Sequence, residues 1–402
     1  MRKLVVSMRL GVCVAAILCF GNLFGADSQP LTVIGAVDDE KLVPIAIKGF
    51  TGEVAAVLRF DLEVQGFKIV ADKDARFILT GDNAGNVNGA LQDAAKAYLF
   101  NKSYEGGAKR LQAHTLSDDV VQAVQGVPGV ARTRVIYRMV TGERSREIYV
   151  ADFDGHSPMA LTTDGRLAGA PTWGTRNQKV YYTSYQVVNG LENPTILEHN
   201  LANGSRRVFA RFMGLNTGAA VGGDGRVAFV LSKGGSPDIY VAGAGWDFMN
   251  DKGDGNLLRI TNTLEGESSP TWSPDGQWLC FATTINKRRV LVKASSRGGP
   301  MMQISTTGVL SPSEPSWSPD GKWIAFTTQM GDFNICVVPA EGGEAKVLAR
   351  GEDPSWAPNS RTILFSLRGV NKRGLGLLDV PSKQVRLLPS FAGSASQAEW
   401  AR

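Results

Sequence analysis

The chain has 402 residues, 43% of them hydrophobic, with 46 glycines and 18 prolines. That is apolar material for a sizeable core and suits a turn-rich β protein carrying one smaller domain. The formal charge of +5 falls to +2 (5 minus 3) once Arg2, Lys3 and Arg9 of the first 26 residues are set aside, which excludes the basic footprint of a nucleic-acid binder.

Residues 1–26 read as an export signal. Arg2, Lys3 and Arg9 form the charged end, and Leu10 to Phe20 is an apolar run too short for a membrane anchor. Ala26 is the expected cleavage point, although Phe24 is larger than such sites prefer. Cys13 and Cys19 follow Val12 and Leu18, not the small residue of a lipoprotein processing site. The expectation is a cleaved signal, an exported chain and no stable membrane insertion. Cys280 and Cys336 then remain, in different blades and strands, so a disulfide between them is not expected, and Cys280, which aligns with Ala325, reads as a small core residue.

Residues 27–130 read as a small α/β domain. Leu31–Gly35 and Leu42–Ile47 are apolar strands. Gly52–Gln65 places Val54, Val57, Leu58, Leu62 and Val64 near helical spacing. Phe67–Val70 and Phe77–Thr80 are further strands. Residues 82–104 admit two readings, a helix over Ala90–Leu99 or a hairpin of Val87–Leu91 with Tyr98–Tyr104. Gly106–Gln125 reads as a helix with Leu111, Leu116, Val120, Val121 and Val124 on one face and Ser117 able to cap its second part. Gly126, Pro128 and Gly129 end it and mark the domain boundary.

Residues 131–402 are organised by a repeated phrase. Residues 269–282 read SPTWSPDGQWLCFA, 314–327 EPSWSPDGKWIAFT and 353–366 DPSWAPNSRTILFS. Trp272, Trp317 and Trp356 are 45 and 39 residues apart, the period of a propeller blade. In each copy a short strand runs to the Trp, Pro-Asp-Gly turns the chain, and a more apolar strand follows. Weaker copies begin at Ala170 and Ala219. Six fourth-strand endings, from Ala160-Leu161-Thr162 to Arg386-Leu387-Leu388, give six blades. The chain stops on a lone opening strand, Gln397 to Trp400, and the first blade lacks one. The last strand is expected to close the ring, which removes an open edge.

Catalytic and metal chemistry is thinly represented. His114, His156 and His199 have no ligand-like spacing. There is no Gly-x-Ser-x-Gly elbow and no phosphate-cradling glycine loop. The acidic loop Asp247–Asn256 interrupts its acids with Lys252 and misses the EF-hand spacing, so it reads as a polar turn. No cofactor and no metal are expected. The loops entering the opening strands gather by symmetry on one rim, which Glu265, Glu267, Glu314, Glu352 and Asp353 make polar and acidic, and this rim is the expected binding surface.

One segment carries a resemblance. Ala113-His114-Thr115-Leu116-Ser117-Asp118, then Gly126 and Gly129, then Thr133-Arg134-Val135-Ile136-Tyr137 resembles the interdomain junction of the TolB family. The six SPDG-type blades after an α/β domain agree with it. The resemblance implies a non-catalytic periplasmic adaptor of the Tol-Pal system, supporting outer-membrane integrity and cell division. It implies that the propeller binds the peptidoglycan-associated lipoprotein Pal, and that an N-terminal segment at Asp27, Leu31, Val33 and Ile34 binds TolA. Family contacts fall here on Asn216, Gly218, Ala219, Ser268 and Ser269, to which the rim adds Glu267, Glu314 and Asp353. Asn216 stands where some relatives have His, and Ser269 where many have Glu. The alternatives are a ligand- or glycan-sensing propeller, or the propeller of a peptidase system.

Overall fold

A computed structural model describes residues 42–250, 256–369, 372–389 and 393–402. All of them fall within one unit, Val33–Arg402. The expected leader, the strand at Leu31–Gly35 and the tail positions Asp27, Leu31, Val33 and Ile34 lie outside the described residues.

The N-terminal region builds one mixed sheet. Its elements are β1 (Val43–Lys48), α1 (Gly52–Val64), β2 (Phe67–Ile69), β3 (Phe77–Asp82), β4 (Val87–Asp93), β5 (Tyr98–Tyr104) and α2 (Lys109–Gln125). The sheet order is β2-β1-β3-β4-β5, with β1 parallel to both neighbours and β3, β4 and β5 antiparallel. The helices cover it through Val54, Leu58, Leu62, Leu116 and Val120, all in one apolar cluster.

The ambiguous segment is the β4–β5 hairpin. Val87, Gly89 and Leu91 alternate into the core, a period-two pattern that a helix cannot satisfy. Gly89 lies directly under Leu116, where an added Cβ would come within 2.6 Å of its side chain.

Two expectations about α2 are corrected. Leu111 is 48% exposed, not core, because the helix begins at Lys109 and Leu111 lies in its outer first turn. Ser117 caps nothing, since it is fully buried in the middle of one continuous helix. The C-terminal cap is Gly126, at φ 71°.

Six four-stranded antiparallel sheets follow. Their opening strands are Ser394–Trp400, Ala168–Trp173, Asn216–Val221, Ser268–Trp272, Ser313–Trp317 and Glu352–Trp356. The first of these, from the C-terminus, pairs with Arg134–Gly142 and completes blade one. Its register joins Trp400 to Val135 and Glu399 to Ile136. The expected ring closure is therefore present.

The SPDG turns are built alike. Ser273 and Ser318 hydroxyls bond Asp275 and Asp320 at 2.5 and 2.6 Å and accept from the Trp278 and Trp323 amides at 2.9 Å. Gly276 and Gly321 take φ of 68° and 77°. The strand after each turn is buried on both faces, as in Trp278–Ile285.

The Pro-Ser/Thr-Trp part of the phrase joins neighbouring blades. Trp272 Nε1 donates to Ala220 O of the preceding blade at 2.9 Å, Trp356 Nε1 to Ser316 O at 3.1 Å, and Trp173 Nε1 to Glu399 O at 3.2 Å. The hydroxyls of Thr271, Ser316 and Ser355 accept the backbone N–H of Trp317, Trp356 and Trp400 one blade on, at 3.0–3.4 Å. Ser355 to Trp400 is the same joint carried across the closure.

The acidic loop of blade three follows a buried aromatic anchor. Trp246 is buried against Phe209 and Phe229 at ring-centroid distances of 5.2 and 6.0 Å and anchors the segment before Asp247. Cys280 and Cys336 are unpaired and Cys280 is buried, as expected, and Cys336 is buried in the same apolar cluster.

Candidate functional site

All six opening strands line one axial cavity of about 270 Å³. Each contributes an equivalent residue of positive φ: Ala170 (47°), Gly218 (61°), Ser269 (56°), Glu314 (52°), Asp353 (55°) and Gln397 (50°). The pairing register shifts beside each of them, so every opening strand bulges into the channel. Five of the six are not glycine, and each left-handed residue costs roughly 1 kcal/mol. The same backbone conformation thus recurs at one position of each blade around the cavity. Its sequence signal was the position before the opening Pro, recurring in four blades.

Strand alternation sorts the loops by face. The loops entering the opening strands and the turns between second and third strands share one face. The SPDG turns and the links from third to fourth strands share the other. The N-terminal region packs on this second face. The side chain of Gln384 donates to Glu63 O at 3.0 Å, Gly66 sits against Arg361, and Val64 joins the cluster around Ala357, Phe153 and Trp400. The rim expected to bind partners thus faces away from the N-terminal region.

That rim is not acidic in the way the sequence suggests. Glu267 is buried, with Oε1 accepting from the Thr263 and Thr283 hydroxyls at 2.8 Å and Oε2 from Thr261 at 2.9 Å. Glu352 is buried beneath Arg368 and Arg373, each at 2.7 Å. Glu314 Oε2 accepts from the Thr327 hydroxyl at 2.6 Å and the Asp353 amide at 3.1 Å. Asp353 Oδ2 accepts from Ser366 and from the Gln397 amide. Burial, then the charges of Glu314 and Glu352, push Asp353 up to about 7. These acids tie strands together rather than face solvent, and of the five only Glu265 is exposed.

The other named positions divide as well. Asn216 is fully buried. Its Oδ1 accepts from the Phe212 amide at 2.8 Å, and its Nδ2 donates to Phe212 O at 2.8 Å and Gly214 O at 3.0 Å. It braces the loop and leaves no polar atom for a partner. Gly218, Ala219 and Ser269 line the cavity. Ser268 takes a hydrogen bond from Arg289.

That face also carries large exposed apolar side chains, beside exposed charged ones such as Arg144, Glu265 and Lys287. Met213, Leu264 and Leu310, on three loops entering opening strands, are 88%, 100% and 69% exposed. Met330 and Leu191 add to them from turns between second and third strands, and Tyr185 and Val187 from the long hairpin of blade two. Sequence reasoning missed these side chains because single apolar residues in loops carry no period.

A different chemistry lies on the N-terminal side. Asp61, His114 and Asp154 bring side-chain atoms within 4.8 Å of one another, the one such His-carboxylate group among the described residues. Arg110 ion-pairs with Asp154 there, so that carboxylate already has a cationic partner. A signal existed in the sequence: Asp61 interrupts the apolar stripe Val57, Leu58, Leu62 of α1. The rest of the junction segment is structural. Asp118 accepts from the Ala131 amide and Arg132 Nε, both at 2.8 Å, and a Cβ on Gly129 would fall 2.2 Å from Asp118 Oδ1.

Comparison with known proteins agrees with this architecture. The family model described as the TolB beta propeller domain matches residues 121–402. Curated relatives are the Tol-Pal system protein TolB of Bordetella pertussis, 28% identical over 71% of this chain and 64% of that protein, and that of Legionella pneumophila, 30% identical over 43% and 48%. The chain spans about half the length of the first curated relatives it matches. The crystal structure of TolB from Acinetobacter baumannii superposes with a TM-score of 0.78 at 22% identity, covering 92% of this chain and 99% of that one. The chain belongs to the TolB family of β-propeller proteins.

Proposed function

We propose that this chain is a non-catalytic periplasmic adaptor of the Tol-Pal system. Its propeller docks the peptidoglycan-associated lipoprotein Pal on the face turned away from the N-terminal region. The segment at Asp27, Leu31, Val33 and Ile34 engages the inner-membrane protein TolA. The reading draws on family membership and on the names its relatives carry. No helix among the described residues is long and apolar enough to cross a membrane.

The carrying observation is the apolar rim. Met213, Leu264 and Leu310 stand exposed on successive loops around the mouth of the axial cavity. Large exposed apolar groups ringed by satisfied polar ones mark protein-interaction surfaces. The buried acids make the loops stiff, so little ordering cost accompanies docking.

The test is a binding titration of the mature chain with the cell-wall lipoprotein of the same genome. Leu264→Asp with Leu310→Asp is expected to weaken the complex at least tenfold with an unchanged melting temperature. Absence of a complex at micromolar concentration, or equal binding by the double variant, would overturn the docking face.

A further inference from the structure

Partner docking leaves one buried cluster unused. His114 on α2 sits between two carboxylates from different parts of the fold. Its Nδ1 is hydrogen-bonded to Asp61 Oδ2 of α1 at 2.8 Å. Its Nε2 lies 3.8 Å from Asp154 Oδ2, in the link between the third and fourth strands of blade one, and has no hydrogen-bond partner. Asp61 is completely buried, and His114 and Asp154 are each 4% exposed. Phe153 closes the site edge-on to the imidazole at 5.8 Å.

The charged groups around the ring can be enumerated. α1 contributes Asp61, and Glu53 through its 3.0 Å pair with Arg110. α2 contributes Arg110, which pairs with Asp154, and Asp118, which pairs with Arg132 at 2.8 Å. Blade one contributes Asp154, whose Oδ1 accepts the His156 amide at 3.0 Å. Within the sealed group, Asp61 and Asp154 are balanced by Arg110 and an imidazolium. A neutral imidazole leaves one uncompensated negative charge at the interface, which is costly in a dry site.

We propose that Asp61, His114 and Asp154 form a proton-operated clasp between the N-terminal region and the propeller, closed by the imidazolium and loosened when it loses its proton. The inference rests on this geometry and not on the Tol-Pal reading. The direction of titration agrees. Burial pulls the imidazole down, but the hydrogen bond and charge of Asp61, helped by Asp154, outweigh it and leave His114 above its ordinary value. Burial lifts Asp61 to about 6 against the pull of His114. Both groups hold protons more tightly folded than unfolded. The contribution of His114 is therefore whole below its ordinary value of about 6.5 and is lost as pH rises through its folded value, whereas that of Asp61 is whole only below its ordinary 3.8 and is lost as pH rises through about 6.

The test is a pH titration of the full chain from 5 to 9, with the three imidazoles followed by NMR and amide exchange followed by mass spectrometry. His114 is expected to titrate above about 6.5. As it does so, exchange at residues 60–66 and 152–156 should rise at least fivefold relative to blade-four strands. His114→Gln should remove that step, and Asp154→Asn should weaken it if the first variant does not fold. Titration of His114 at or below 6.5, or a flat exchange ratio in the unmodified chain, overturns the clasp. Abolition of the step by EDTA overturns it too, since a metal ion would then be the occupant.

Discussion

Replacing Trp400 with alanine tests how much the ring depends on its last strand. Trp400 is completely buried and stacks on Phe153 at 6.2 Å. Its indole N–H donates to the Thr133 hydroxyl at 2.6 Å, and its backbone N–H to Ser355 at 3.0 Å. Truncating a buried tryptophan costs about 3–5 kcal/mol, and the lost indole bond adds about 1 kcal/mol. The same ring packs in one cluster with Val64 of α1, so the site cannot collapse without moving a second element. At roughly 2 °C per kcal/mol for a chain of this size, the melting temperature should fall by about 8–12 °C. Met330→Ala, at a half-exposed rim position, should move it by less than about 1 °C. Calorimetry on the two variants and the parent decides the matter. A Trp400→Ala protein melting within 2 °C of the parent would refute the idea that closure carries the ring.

Two further outcomes follow from the site and the junction. Asp353 has a folded value of about 7 against an ordinary carboxylate near 4, so the folded state holds an extra proton between those values and stability falls as pH rises across that window. Asp353→Asn should flatten that fall and melt above the parent at pH 8, as pH-dependent melting curves will show; a parallel curve would dismiss the assignment. Asp118→Ala orphans the Ala131 amide and frees Arg132, and should cost about 2–3 kcal/mol in denaturant titration. A cost below about 0.5 kcal/mol would mean the junction is held by other contacts.

Much of this molecule was legible in its sequence, for local reasons. The SPDG turn specifies itself: a serine hydroxyl, an aspartate carboxylate and a glycine at positive φ satisfy one another within five residues. The blade count followed from six repeated fourth-strand endings, and the ring closure from an unmatched last opening strand. The helix α1 followed from its apolar spacing. What depended on distant neighbours did not show. The acids Glu267 and Glu352 look like a charged rim in one dimension, yet threonines and arginines from neighbouring strands bury and satisfy them. Burial of a charge depends on its partners, and strand pairing alone supplies those.

The sequence by itself determined the repeat, the turn chemistry, the number of blades and the resemblance carried by the junction segment. Tertiary structure alone decided which residues face solvent and which face each other. It put the N-terminal region on one face and the exposed Met213, Leu264 and Leu310 on the other. It also drew Asp61, His114 and Asp154 together from positions 53 and 40 residues apart (114 minus 61, 154 minus 114). Periodicity reports which side of an element is apolar, whereas the meeting of two polar groups depends on how whole elements pack, and no spacing rule along the chain encodes that.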